Sequence, residues 1–538
     1  MPFKKIKAYF SGMTVILFIE FNLNKMVIRK LLRLLLTTLV WSGTVAVGYS
    51  QLSLPAIFGD SMVLQRNEPI NIWGIARSSA PVNVNFTGYE AETRANEAGQ
   101  WKLTLPAFDS MLPLQLVVES GNEKLIFHDI LMGEVWICSG QSNMRWFLKH
   151  SANGEKELSK SRDSRLRLFN MSSDIHPGPG AFDQAKLERL KNKDYYEMSG
   201  WQTSHSQMAA WFSAVAYYFG KHLMDSLQVP IGLIHNAVGG STTESWIGRE
   251  ELKADANLKV LVDDKQPWPD VQGVNEWVKQ RSKENMSLST EQGSSVLTNH
   301  PFAPGYLYSA GIAPLVPLSV KGVVWYQGES NATFPHLHDQ LFPLLISSWR
   351  KAWGQGDFPF LFVQLPNISN RNRWPEFRES QQKALKIPYT GMAVTIDSGD
   401  PGDVHPRNKL VVGNRLALVA LQDVYSFNLE SKGPTVSSYS LEENLLTIAF
   451  THAKGMHTKD GQPPKGFVVQ GYDTEGRKEL LIRVEKVKIE GNSVLLEIPK
   501  SISPTKIKYA WSPNPAVNLY NDAGLPMVPF KLELPGNN

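Results

Sequence analysis

Glu134-Val-Trp-Ile-Cys-Ser-Gly-Gln-Ser-Asn-Met144 is the stretch whose reading decides the fold. A continuous apolar run ends in small and polar residues and passes into a helix-compatible segment. A strand buried on both faces has this form. The same texture recurs at Ile231 to Ile234, Val323 to Tyr326, Phe360 to Gln364 and Ala393 to Ile396, each run followed by a polar loop. Helices are expected at Trp211 to Ser226 and Glu376 to Leu385. Strands and helices in alternation predict an α/β domain on a parallel sheet over residues 129–430. Within it, residues 249–292 are polar, charged and helix-permissive, and read as an insertion that roofs the site.

The pattern changes on both sides of this region. Ile70-Asn-Ile-Trp-Gly74, Val82-Asn-Val-Asn-Phe86, Trp101-Lys-Leu-Thr-Leu-Pro106 and Gln115-Leu-Val-Val-Glu119 alternate with period two. They predict a small β-sandwich over 52–128. Strand patterns return over 433–538, where Glu490-Gly-Asn-Ser493 has hairpin-turn chemistry, since Gly and Asn tolerate positive φ. There is no internal repeat and no low-complexity tract.

With 538 residues, 42% hydrophobic and 20% charged, the chain is neither disordered nor a small disulfide-stapled protein. Its formal charge of +4 suggests a nucleic-acid or anionic-lipid partner until the charges are located. Lys4, Lys5, Lys7, Lys25, Arg29, Lys30 and Arg33 stand against Glu20 alone in residues 1–50. The remainder is slightly acidic, so no basic patch and no nucleic-acid partner are expected. Met26-Val-Ile-Arg-Lys30, the apolar run Leu34 to Val47 and the small residues before Gln51 have the anatomy of a secretory signal, with the true start at Met26. An uncleaved N-terminal anchor is the competing reading. No later segment reaches the roughly 18 apolar residues of a spanning helix, so no membrane association is expected after signal removal. A single cysteine, Cys138, forbids an intramolecular disulfide and favours a periplasmic over a eukaryotic secreted protein.

In open α/β sheets, ligands bind beyond the carboxyl ends of the strands. The loop after Cys138 carries Ser142, either a nucleophile at a helix start or an ordinary N-cap. The loop after Ile234 carries Gly239 and Gly240, which let backbone N–H groups approach a ligand. Trp325-Tyr-Gln-Gly-Glu-Ser-Asn331 places an amide and a carboxylate at a strand end. Asp397-Ser-Gly-Asp-Pro-Gly-Asp-Val-His405 sets three acids beside one histidine, which could be a metal ligand, a turn residue or a general base. Together the loops hold a nucleophile, a base with an orienting acid and oxyanion donors, the set that acyl transfer requires.

Gly140-Gln-Ser-Asn-Met144, Trp325-Tyr-Gln-Gly-Glu-Ser-Asn331 and His405-Pro-Arg-Asn-Lys409 resemble the signature blocks of the sialate O-acetylesterase family, within the SGNH hydrolases. The resemblance extends to Leu54-Pro-Ala-Ile-Phe-Gly-Asp-Ser-Met-Val-Leu-Gln-Arg66 and Asn518-Leu-Tyr-Asn-Asp-Ala-Gly-Leu-Pro526, and covers Leu52 to Leu534. It implies a three-layer catalytic domain between β-sandwich-like flanks and a serine esterase acting on O-acetylated sugars without cofactor or metal. Ser142 is then the nucleophile and His405 the base. The oxyanion hole uses the Ser142 N–H, that of Gly239 or Gly240, and the Gln327 amide. Many SGNH hydrolases have Asp three residues before the histidine, where this chain has Gly402. Asp403 is preferred as the acid and Asp400 is the alternative, with a Ser-His dyad also open. Gln141, Asn143, Glu329 and Asn331 are expected around the site, and Arg378 is a candidate for a substrate carboxylate. Acetylxylan esterase and a non-catalytic carbohydrate-binding protein are the rival functions.

Overall fold

The computed structural model describes residues 51–263, 266–289 and 294–535. The signal sequence and the start at Met26 lie outside the described residues. Six strands come first: β1 Val63–Gln65, β2 Ile70–Ile75, β3 Pro81–Phe86, β4 Tyr89–Arg94, β5 Gln100–Leu105 and β6 Leu114–Ser120. β2 pairs antiparallel with β5, and β3 with both β4 and β6. The predicted period-two alternation appears as alternate burial, Val82, Val84 and Phe86 facing in on β3 and Trp101, Leu103 and Leu105 on β5.

β7, Glu123–Gly140, joins this region to the central sheet as one strand of 18 residues. Its first half pairs antiparallel with β6 and alternates in burial; from Ile130 onward every residue is buried. The change of texture at 128/129 therefore falls inside a continuous strand that exchanges a half-exposed environment for a two-sided one. β7 leads directly to the short helix α1, Ser142–Arg145.

The central sheet adds β8 Asp163–Ser172, β9 Glu197–Ser204, β10 Ile231–Ala237, β11 Gly322–Tyr326, β12 Phe360–Val363 and β13 Thr390–Ala393. Their order is β13-β12-β11-β7-β10-β8-β9, parallel throughout except for β8 against β9. β13 stops at Ala393, short of the predicted Ile396, because its partner β12 ends at Val363. The chain crosses from β10 to β11 on opposite sides of β7. That reversal opens a crevice at the strand ends.

Alternate residues leave the sheet on opposite faces. Trp136, Cys138, Val324 and Leu361 pack with helix α2, Ala214–Leu227. Val135, Ile137, Trp325 and Phe362 pack on the other side with Phe342 and Trp349 of α3, Pro335–Trp353. α2 starts three residues later than predicted because Ser213 caps it, its Oγ accepting from Ala216 N at 3.1 Å. α4, Trp374–Lys383, starts two residues earlier, with Pro375 in the first turn, where no N–H is needed. α5, Lys409–Asp423, lies against α2. Its Gly413 has no room for a side chain: a Cβ would sit 2.6 Å from Tyr218 Cβ. The 249–292 insertion contributes helices Arg249–Ala254 and Glu276–Asn285 with short turns between.

Two four-stranded antiparallel sheets follow: Thr435–Glu442, Leu445–Thr451, Ser493–Glu497 and Val487–Glu490 in one, and Glu479–Arg483, Phe467–Asp473, Ile502–Tyr509 and Phe530–Glu533 in the other. Glu490 pairs with Ser493 across the expected hairpin, with Gly491 at φ +58°. Among the described residues no helix is long and apolar enough to cross a membrane.

Arg378 on α4 has a different role from the one expected of it. It is 1% exposed, and its guanidinium donates to the carbonyl oxygens of Leu365 (2.9 Å), Pro366 (2.8 Å), Ser512 (3.0 Å) and Pro513 (2.9 Å). With its donors committed to backbone, it does not meet a substrate carboxylate; it ties the end of β12 to the C-terminal region. Arg378→Met keeps the bulk and leaves these carbonyls unpaired, each at a cost of about 1–3 kcal/mol. Calorimetry should show a lower unfolding midpoint. An unchanged midpoint would contradict this role.

Candidate active site

The loops after β7, β10 and β11 and the 403–405 segment converge on a cavity of about 780 Å³. Ser142, His405, Gly239, Gly240, Gln141 and Glu329 line it. Asn275 and Trp277, from residues 249–292, also line it. Ser142 Oγ lies 2.8 Å from His405 Nε2. The imidazole stacks on Trp146, with centroids 5.5 Å apart and an interplanar angle of 23°. Burial is the main cause that lowers its basicity from that of a free histidine, the Lys409 charge adds to this, and Asp403 opposes it.

The three acids of the 397–405 loop have separate tasks. Asp397 is held by Arg415 through two contacts of 2.6 and 2.8 Å and accepts from Tyr520. Asp400 caps the turn, its Oδ1 accepting from the N–H groups of Gly402 and Asp403. Asp403 accepts from His405 N at 2.8 Å, and the same Oδ1 stands 3.7 Å from His405 Nδ1. That is within ion-pair range and beyond hydrogen-bond length. Of the two acids considered, Asp403 is the one beside the imidazole.

The N–H groups of Ser142, Gly239 and Gly240 carry no hydrogen bond to another described residue. A Cβ on Gly239 would lie 3.7 Å from Ser142 Cβ, so its backbone closely approaches the serine. Gln327 does not join these donors. Its Nε2 donates to Ser241 O (3.2 Å) and Asn331 Oδ1 (2.7 Å), and its Oε1 accepts from Thr243 Oγ1 at 2.8 Å. The amide expected in the oxyanion hole is thus buried behind the cavity and fully committed. Asn331 belongs to the same buried network, accepting from Thr243 N and donating to Glu244 Oε2.

Gln141 faces the cavity instead. Its Oε1 accepts from the N–H groups of Gly328 and Ser330 at 3.2 and 3.3 Å, which fixes the amide and leaves Nε2 as its free end. Asn143 lies behind Ser142. Its Nδ2 donates to Glu329 Oε1 (2.5 Å) and to Val404 O (2.9 Å), and its Oδ1 accepts from Lys409 Nζ. Burial raises the Glu329 carboxyl above the usual carboxylate range and lowers the Lys409 ammonium to about 7. Glu329 Oε2 is buried without a partner. Lys409 and Trp146 were not singled out from the sequence; Trp146 follows the end of α1 and Lys409 opens α5.

A family model of carbohydrate esterases described as sialic acid-specific acetylesterases matches residues 277–422. The sialate O-acetylesterase of Mus musculus is 32% identical over 441 residues, 74% of this chain and 79% of its own. That of Homo sapiens is 30% identical over 470 residues, 80% of this chain and 82% of its own. The crystal structure of a carbohydrate acetylesterase from Xanthomonas citri superposes with a TM-score of 0.73 at 31% identity, covering 90% of this chain and 99% of that one. The chain belongs to the sialate O-acetylesterase family and is an ester hydrolase.

Proposed function

We propose that the protein is a serine O-acetylesterase that removes acetyl groups from sugars, sialic acids first among them, through an acetyl-Ser142 intermediate. The 2.8 Å contact between Ser142 Oγ and His405 Nε2 in the wall of the cavity carries this reading. His405, held neutral near pH 7 by burial, takes the Ser142 proton as Oγ attacks the acetyl carbonyl. The oxyanion receives the N–H of Ser142 and that of Gly239 or Gly240, with Gln141 Nε2 in the place the sequence assigned to Gln327. His405 returns the proton to the departing sugar hydroxyl, and a water molecule then repeats the sequence on the acetyl-enzyme. Asp403 supports the imidazolium. The same reading makes the core an SGNH three-layer domain between β-sandwich-like flanks, and the basic, apolar leader sends the enzyme to the periplasm or outside the cell.

Ser142→Ala should lower p-nitrophenyl acetate turnover at least about 10³-fold; equal activity of the two proteins would end the serine reading. Wild-type activity on acetylated xylan but not on acetylated sialic acids would replace the substrate.

Gln141→Ala should cost about 10²–10³-fold in kcat with little change in KM. An equal kcat loss in Gln327→Leu at unchanged thermal stability would return the oxyanion role to Gln327.

The pH profile has a defined sign. Because the base must be neutral, kcat/KM should rise with pH through a midpoint below histidine's usual 6.5 and stay level above it. Asp403 raises the basicity of His405 and Lys409 lowers it, so Asp403→Asn should move the midpoint down and Lys409→Met should move it up. A larger displacement in Asp400→Asn would hand the acid's role to Asp400.

A further inference from the structure

A second cavity, of about 240 Å³, adjoins the first and shares Pro177 and Gly239 with it. The mechanism above uses none of its side chains. Arg145, His176, Tyr196 and His235 stand in its wall. Arg145 is the last residue of α1, three after Ser142. Its Nη2 lies 3.2 Å from His176 Nε2, and its guanidinium carbon is 5.6 Å from the Phe147 centroid. Burial first and then the Arg145 charge lower the basicity of His176, against the Asp174 carboxylate, which raises it. Among the described residues no carboxylate pairs with Arg145. Of the other largely buried arginines, Arg167 pairs with Asp129 at 2.7 Å and Arg415 with Asp397 at 2.6 Å, while Arg378 gives its donors to backbone carbonyls. A partly desolvated cation without a counterion is costly unless a ligand provides one.

Two more groups in this cavity lack partners. Tyr196 Oη and His235 Nε2 are buried with no hydrogen bond. His235 is 2% exposed, and its Nδ1 lies 2.7 Å from Asn170 Oδ1. An amide oxygen only accepts, so Nδ1 carries the proton and Nε2 presents a lone pair. The cavity therefore holds a fixed cation in its wall, with the unpartnered Tyr196 phenol and His235 Nε2 buried behind that wall. The cation complements a carboxylate. The arginines on the rim of the larger cavity are less suited: Arg371 is exposed, and Arg373 lies 3.8 Å from Glu376.

We propose that the smaller cavity is a carboxylate subsite, in which Arg145 pairs with the acid group of a sugar whose acetyl ester lies against Ser142 and so selects acidic over neutral acetylated sugars. The placement of the ester rests on the serine-esterase reading; the anion site does not. Exposed charge does not provide this selection, because beyond residue 50 the chain is slightly acidic.

Calorimetric titration of the Ser142→Ala protein with N-acetylneuraminic acid and with its methyl ester tests the subsite without requiring catalysis. The acid should bind at least about tenfold more tightly than the ester, since an ionised acceptor strengthens the contact. Adding Arg145→Gln should abolish the difference, and Arg145→Lys should restore part of it. In the protein with Ser142 intact, Arg145→Gln should lower the ratio of kcat/KM on O-acetylated sialic acid to that on p-nitrophenyl acetate by about ten- to a hundredfold. Equal binding of acid and ester, no binding of the acid, or an unchanged ratio would each overturn the proposal. So would a loss of discrimination in Arg371→Gln with none in Arg145→Gln. Hydrolysis of p-nitrophenyl acetate retained by Ser142→Ala would defeat the esterase reading alone and leave the titration to decide the subsite.

Discussion

The buried side-chain amide of Asn143 is the contact on which the site depends. It follows Ser142 in the chain, donates to Glu329 in the loop after β11 and to the carbonyl of Val404, and accepts from Lys409 at the start of α5. Val404 precedes His405, so one amide sets the distance between the serine and the histidine from behind. Parallel strands cannot do this themselves, because their ladders end where the loops begin and the loop backbone must find other partners. Gln141 does for Gly328 and Ser330 what Asn143 does for Val404, and Gln327 with Asn331 braces the Thr243 turn. Ser142 and His405 thus rest on a buried layer of amides. A wrongly placed amide there would leave donors and acceptors unpaired.

Electrostatics around this layer lower the basicity of His405. Burial drives Lys409 toward its neutral form and Glu329 toward its own, while their mutual attraction resists both. The charge remaining on Lys409 opposes protonation of His405, and Asp403, half exposed and 3.7 Å away, opposes that effect only in part. Beside this site stands Arg145, which has no carboxylate partner among the described residues.

Much of the architecture was legible because burial on two faces leaves an unmistakable apolar run, as at Ile231 to Ile234 and Val323 to Tyr326. β8 and β9 were not legible. β9 is an antiparallel edge strand with half-exposed residues such as Gln202 and Thr203, and so lacks that pattern. The ends of helices were displaced by two or three residues, where a capping serine or a first-turn proline decides the boundary. At the site, Ser142, His405, Gly239 and Gly240 line one cavity. Their loops are short and directly follow strands, so position in the chain nearly determines position in space.

The sequence by itself determined the order of strands and loops, the family and the side chains available at each strand end, because periodicity and short motifs are local properties. Only the tertiary structure decided which of two glutamines and which of several arginines face the cavity. Gln141 and Gln327 carry the same amide, and Arg378 and Arg145 the same guanidinium. What separates them is which hydrogen-bond partners the fold brings within about 3 Å, and those partners come from segments as distant as Ser512 and Pro513. Arg378 is satisfied by backbone carbonyls and becomes part of the scaffold. Arg145 contacts His176 and, among the described residues, meets no carboxylate.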